Sequence, residues 1–364
     1  MYSAAFCYFR PSPNTQVRGV VFANRLKSQG HKIREVYFYS KLVNNLRNFA
    51  IKHRVPYLKT ACDIFQTLYY RIIKKVNIRI IRKCTNVYLV KYVTRDFLMS
   101  LKLLKKSNHK CNVIYDFDDA VWLPSYSISN YLDDIMQVSD HITCENKFLS
   151  DYIYKKYNSF SVIVNSYFDQ IGYYKSDQIN NNIVIGWIGG KYTYKYIRMI
   201  SQELNKALED NLNIKLILAG ADNKEVVKDF SEVIDRVEVI ESYSSGKPMY
   251  RIINGFDIGL FPCEDNDDCN GRGFLKRILY MGCGAVPISS RIKEDGQIIK
   301  HNVNGLICNE KVEWSSNINY LINNKRLLNS MKKSGLKFVT SNYNLDAALN
   351  ALLSNFKLEN ENNN

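Results

Sequence analysis

Ile183-Val184-Ile185-Gly186-Trp187-Ile188-Gly189-Gly190-Lys191-Tyr192-Thr193 opens the second half of a 364-residue chain. The stretch reads as a strand, then glycines, then the start of a helix. Glycines at such a turn let backbone N–H groups approach an anion, and the helix start adds partial positive charge. Lys191 and Lys195 add formal charge nearby. The same pattern also serves an ordinary tight strand-to-helix turn. It is not the GxGxxG fingerprint of dinucleotide sites, which argues against a dehydrogenase.

On both sides of this stretch short apolar runs alternate with segments of helical period. Upstream, the strand candidates are Ala4–Phe9, Ile33–Tyr39, Val87–Tyr92, Asn112–Tyr115, His141–Cys144 and Ser161–Val164. The second series is Ile183–Trp187, Lys215–Ala219, Val237–Ile240, Ile258–Phe261 and Ala285–Ile288, with helices expected over Thr193–Glu209 and Phe274–Cys283. Two such series predict an α/β protein with two Rossmann-like parallel-sheet domains. The polar stretch Asp169–Asn182, with Gly172 and Ser176, separates them as a linker, placing the hinge between Val164 and Ile183. The expected division is 1–168, 183–342, and a C-terminal helix and disordered tail over 343–364.

The chain exceeds what one core usually serves, and no apolar run approaches the roughly 18 residues of a transmembrane helix. The apolar start Met1–Phe9 reads as a first strand rather than a signal peptide. Nine scattered cysteines without a CxxC pair point to buried, reduced thiols, neither a disulfide framework nor a zinc site. No metal and no cofactor is expected. The net charge of +15 is local: residues 41–110 hold seventeen Lys and Arg against Asp63 and Asp96, and the remainder balances. That is one anion-facing surface. Within it, Ile64–Lys83 mixes apolar residues and cations at helical spacing. This suits a helix lying on an anionic membrane, or a core-packed helix with a charged outer face. No RNA- or DNA-binding motif accompanies it, so no nucleic-acid partner is expected.

Further on, Gly255-Phe256-Asp257-Ile258-Gly259-Leu260-Phe261-Pro262 precedes Gly271-Arg272-Gly273-Phe274-Leu275-Lys276-Arg277, then Tyr280-Met281-Gly282-Cys283-Gly284-Ala285-Val286-Pro287-Ile288-Ser289-Ser290. With the Ile185–Gly190 opening and the Asn304-Gly305-Leu306-Ile307 turn, this order resembles the donor-binding half of glycosyltransferase family 4. In the first half, Tyr115-Asp116-Phe117-Asp118-Asp119-Ala120-Val121-Trp122 resembles a stretch of one branch of that family, and Asn14-Thr15-Gln16-Val17-Arg18 its acceptor-side loop. The resemblance is strong over 183–308 and patchy over 1–165; the segment 41–110 matches nothing in it.

The resemblance implies a GT-B fold, two Rossmann-like domains facing each other across a cleft. It implies a bacterial enzyme of polysaccharide synthesis, metal-independent and retaining, cytoplasmic or peripheral on the inner face of the membrane. Its partners would be a nucleotide-sugar donor and a glycan or lipid-linked acceptor. Arg272 and Lys276 lie four residues apart on one face of a helix start, so with the Gly189–Gly190 turn they would surround the donor diphosphate. Lys276 would also stabilise the departing phosphate. Lys195 falls where the family often carries a phosphate lysine, while Gly190 replaces its usual arginine partner. Gly271 and Leu279 stand where many members carry two glutamates, leaving the ribose contact and the stereochemical outcome open. Asn14, Arg18 and Asp116 would lie on the acceptor side, and Asp118 and Asp119 would serve the acceptor hydroxyl. These carboxylates end a predicted strand, the ligand edge of an open α/β sheet, where a turn or cap role is the other reading. His141 reads as a strand residue and His31 as a turn residue. The departures at Gly271 and Leu279 keep a non-catalytic GT-B subunit as the alternative, and a basic nucleic-acid-binding α/β protein as a more distant one.

Overall fold

The structure, a computed structural model, describes residues 2–9, 15–107, 111–169, 182–244, 246–293 and 298–356. The chain divides into two compact units, Met1–Val164 with Leu349–Asn364, and Asn165–Ala348. The linker expected over Asp169–Asn182 falls almost wholly outside the described residues, as does the tail from 357 onward.

The first unit is built on β1 (Tyr2–Tyr8), β2 (Ile33–Tyr37), β3 (Cys84–Val90), β4 (Asn112–Phe117), β5 (His141–Cys144) and β6 (Ser161–Ile163). They form one sheet in the order β2-β1-β3-β4-β5-β6, each neighbouring pair parallel. Strands covered on both faces are near-continuous apolar runs, and β3 and β4 are buried along almost their whole length. The helices are α1 (Val21–Ser28), α2 (Lys41–Lys52), α3 (Pro56–Ile81), α4 (Arg95–Lys106), α5 (Leu132–Val138) and α6 (Lys147–Tyr157). Side chains of Ser40, Thr94 and Asn146 cap α2, α4 and α6 by accepting from amides three residues on. The basic segment thus forms an α2–α3 hairpin between β2 and β3, and the helix expected over 64–83 starts earlier, with Pro56 in its first turn.

The second unit carries β7 (Ile183–Ile188), β8 (Ile214–Ala219), β9 (Val237–Ile240), β10 (Ile258–Phe261), β11 (Val286–Ser290) and β12 (Leu306–Cys308). Its sheet is also all parallel, in the order β12-β11-β10-β7-β8-β9. The expected helix over Thr193–Glu209 is two helices, α7 (Tyr194–Met199) and α8 (Ser201–Asp210), broken at Ile200. Then follow α9 (Asn223–Asp229), α10 (Lys247–Asn254), α11 (Asp267–Asn270), α12 (Leu275–Gly282), α13 (Glu313–Asn323), α14 (Lys325–Asn342) and α15 (Leu345–Leu353). Within α15, from Leu349, the chain rejoins the first unit. Asn112 Nδ2, in β4, donates to the Asn355 carbonyl at 2.8 Å, and Phe356 lies 6.2 Å from Phe6.

One expectation about cysteine needs correction. Cys263 and Cys269 form a disulfide across the acidic loop Glu264–Asp268, a run that reads in the sequence as solvated, their Cα atoms 6.1 Å apart. The pairing follows from Cα proximity after the turn, which sequence spacing does not reveal. The other seven cysteines are free and buried.

Candidate active site

In the second unit the chain builds outward from β7 to β9, then returns to place β10 on the other side of β7. Strand order therefore reverses between β7 and β10. Ligands of open α/β sheets bind outside the carboxyl ends of strands at such a point. The segments after β7 and β10 carry the two motifs read from the sequence, which explains how stretches so distant along the chain meet.

After β7, the Gly189 backbone runs close over its surroundings. A Cβ there would meet the Trp187 ring at 2.0 Å, and one on Gly220 (φ +91°) would meet the Gly189 carbonyl at 2.2 Å. The turn is fixed from several sides. Tyr243 Oη donates to the Gly189 carbonyl at 2.9 Å, and the Ile188 amide donates to Tyr280 Oη at 3.2 Å. Both glycine amides, expected to face a phosphate, have partners within the protein. The Gly189 amide donates to the Ala219 carbonyl at 2.9 Å, and that of Gly190 to Thr193 Oγ1 at 3.1 Å. Gly190 is exposed, and a Cβ there would meet nothing within 4 Å. Lys191 is exposed and paired with Asp222 at 2.6 Å.

The cations come together. Lys195 on α7 and Arg272 before α12 both lie against the ring of Tyr196, at 4.9 and 5.1 Å. Arg272 Nη2 donates to Asp268 Oδ2 at 2.6 Å, and Tyr196 Oη reaches the same oxygen at 3.3 Å. Lys276, in the first turn of α12, lies 5.4 Å from the centre of the Trp187 ring that supports Gly189. No carboxylate among the described residues pairs with Lys276. Desolvation, then the guanidiniums of Arg272 and Arg277, push its pKa down to about 7. Arg277 itself is fully buried, 4.2 Å from the Phe261 ring. Gly271 and Leu279, at the family's glutamate positions, are both buried. A disulfide at Cys269 and the Asn266 cap hold α11, and with it Asp268, in place.

In the first unit the corresponding edge carries two ion clusters. Arg18 lies in a π-helical turn, Thr15–Val20, and is 2% exposed. Its Nε and Nη2 donate to the two oxygens of Asp116 at 2.7 and 2.6 Å. Its Nη1 donates to Glu145 at 2.7 Å and to the Val164 carbonyl at 2.6 Å. Burial opposes the charge of Arg18, but Asp116 and Glu145 outweigh it and hold the pKa above the ordinary arginine value. Arg18 and Asp116 are thus joined to each other inside the unit, and neither presents an open face to an acceptor. Asn14 lies outside the described residues.

Asp118 and Asp119, just beyond β4, are partly exposed and share Lys91. Lys91 Nζ lies 3.1 Å from Asp118 Oδ1 and also donates to Asp119. Only 3% of Lys91 is exposed, and its φ of +48° is unusual for a side-chain-bearing residue. Burial lowers its pKa, and the two carboxylates raise it well above the ordinary lysine value. Burial raises the pKa of Asp118, with Lys91 opposing and Asp119 reinforcing. Lys91 and Glu145 were missed in the sequence, although both directly follow strands of a parallel sheet. A charged residue in that position is itself a signal worth scanning for.

Residues 182–324 match the family described as glycosyl transferases group 1. No curated protein matches the chain. Among solved structures, HepE from Anabaena in complex with UDP has a TM-score of 0.69 at 12% identity, over 97% of this chain and 99% of that one. A glycosyltransferase from Rickettsia africae has a TM-score of 0.70 at 15% identity, over 97% of each chain. A sucrose-phosphate synthase from Thermosynechococcus elongatus has a TM-score of 0.64 at 10% identity, over 97% and 98%. The fold is GT-B.

Proposed function

We propose that the protein transfers a sugar from a nucleoside-diphosphate donor to a hydroxyl of a glycan or lipid-linked acceptor. The observation that carries this reading is the gathering of Lys195, Arg272 and Lys276 at the strand-order reversal of the second sheet, beside the Gly189 turn. Glycosyl transfer builds negative charge on the departing diphosphate. Cations already held in place stabilise that charge without reorganising during the reaction. In this reading Lys276 and Arg272 meet the phosphates directly, in the role a divalent ion fills elsewhere. Lys195 and Lys191 flank them, and Gly190, exposed and without a side chain, leaves room for the phosphates to approach. Asp118 and Asp119 receive or orient the acceptor hydroxyl, and Lys91 sets their positions. Retention of anomeric configuration, a role in bacterial surface-polysaccharide synthesis and work at the inner face of the membrane belong to the same proposal. They rest on the family resemblance and on the basic segment.

Because HepE is held in complex with UDP, UDP is the first ligand to try, followed by GDP, CMP and dTDP, each with and without sugar. The test is calorimetric affinity for wild type and for an Arg272→Ala, Lys276→Ala double variant, with folding checked by melting. Each lost cation should cost about 2–4 kcal/mol in the transition state, so the single variants should turn over roughly a hundredfold slower or worse. Unchanged nucleotide affinity in a folded double variant would place the donor elsewhere. Donor binding without hydrolysis or transfer would instead mark a non-catalytic subunit.

A further inference from the structure

In the first unit, α3 runs 26 residues, about 39 Å at the usual helical rise. One side of it is anchored. Cys62 and Ile81 are buried, Asn77 Nδ2 donates to the Tyr37 carbonyl at 2.9 Å, and Tyr70 Oη lies 2.7 Å from Thr94 Oγ1. The other side presents Phe65, Leu68, Ile72 and Val76, at steps of three and four residues, with Ile72 71% exposed. On α2, Leu42, Leu46 and Phe49 repeat the pattern, with Leu42 71% exposed. A monomeric protein in water rarely leaves a continuous apolar stripe of this kind uncovered.

Exposed Arg71, Lys75 and Arg79 step by four along the same helix and border the stripe on one edge, with Arg82 and Lys83 at its end. From 41 to 83 the hairpin carries eleven Lys and Arg against one acid, Asp63. Even that carboxylate is taken up, by Arg47 at 2.5 Å and Lys59 at 3.2 Å. The surface is therefore apolar along its crest and cationic along its border.

We propose that the α2–α3 hairpin docks the protein on an anionic lipid bilayer, with the Phe65–Val76 stripe entering the acyl boundary and the bordering cations meeting lipid phosphates. Charge selects this occupant. A second copy of the chain would bring two strongly positive faces together. A nucleic acid would satisfy the cations and leave the apolar crest in water. An anionic membrane satisfies both, since apolar burial and headgroup attraction add. No helix among the described residues is long and apolar enough to cross a membrane, so the hairpin lies on the surface. The docking deepens the proposed function by holding the protein where a lipid-linked acceptor resides, and rests on that reading only for its purpose.

The experiment is co-sedimentation of the full chain with phosphatidylcholine vesicles, with and without phosphatidylglycerol. Binding is expected only to the anionic vesicles. An Arg71→Glu, Lys75→Glu, Arg79→Glu variant should lose it. A Phe65→Ser, Leu68→Ser, Ile72→Ser variant, which keeps every cation, should weaken it at least tenfold, because the crest contributes independently. Both variants change exposed residues and should melt as wild type and bind UDP as wild type. If the serine variant binds vesicles like wild type, or wild type prefers RNA to vesicles, the proposal is overturned. Sedimentation equilibrium showing a dimer that the serine variant abolishes would also overturn it. Failure of wild type to bind any nucleotide would remove the proposed reaction and leave vesicle docking standing.

Discussion

Arg18 and Asp116 form a two-pronged ion pair, 2.7 and 2.6 Å, in which neither side chain is more than 3% exposed. Such a pair is costly to break, since the surviving partner is left charged in a dry site. Arg18→Met should therefore destabilise the protein by about 3–5 kcal/mol, read as a lower urea midpoint. Arg18→Lys should recover only part of this, because an ammonium cannot reproduce the fork geometry. An Arg18→Met variant as stable as wild type would free Arg18 for direct work on an acceptor.

Asp118→Asn and Asp119→Asn should each impair transfer while leaving UDP affinity unchanged. Both lie just beyond the carboxyl end of β4, and neither belongs to the cation cluster of the second unit. Lys91→Met should lower turnover as well, because it leaves two carboxylates crowded in a partly buried place without their shared cation. Normal turnover in both asparagine variants would make the carboxylates structural.

Much of the fold was legible because inner parallel strands covered on both faces, such as β3, β4 and β10, are apolar runs, and the regular alternation with helical stretches marks the less buried edge strands. The twelfth strand, Leu306–Cys308, is apolar and buried, but its residues overlap the stretch read as the Asn304–Ile307 turn. The site was legible only where a motif lies beside the strand end, as with Arg272 and Lys276. Tyr196 and Asp268, which position Arg272, look in the sequence like an ordinary helix residue and part of a solvated acidic loop. Their roles depend on contacts between α7 and the chain after β10, which periodicity does not carry. Likewise Arg18 and Asp116 could be read as edge residues, but not as each other's partners across 98 positions.

Thiol counting tests the Cys263–Cys269 bond. Unfolded, unreduced protein should show seven reactive thiols, the number of free cysteines. Reduction should release two more. A Cys269→Ser variant should lose about 2 kcal/mol in stability, the loop-closure entropy of so short a ring. It should also weaken UDP binding, since α11 carries the Asp268 that holds Arg272. Nine thiols before reduction would show that the two cysteines are not joined.

Lys276 gives the donor site a pH signature. Its pKa is pushed down to about 7, by desolvation first and then by Arg272 and Arg277. A diphosphate arriving beside it supplies the missing negative charge and raises that pKa toward the ordinary lysine value. Above pH 7 the free protein holds Lys276 largely neutral, so binding must take up a proton. Affinity for UDP should then fall as pH rises above about 7, approaching tenfold per pH unit at most for one linked proton. The sign for stability is opposite. A lysine depressed on folding binds fewer protons in the native state, so its contribution is fully present above the unfolded pKa and is lost as pH falls toward about 7. Calorimetry at pH 8 in buffers of different ionisation enthalpy would read the proton uptake directly. Wild type should take up close to one proton per UDP more than Lys276→Met does, and the variant's affinity should be flat over the same range. Equal proton uptake in the two proteins would mean that Lys276 is not at the phosphates, whatever the variant does to turnover.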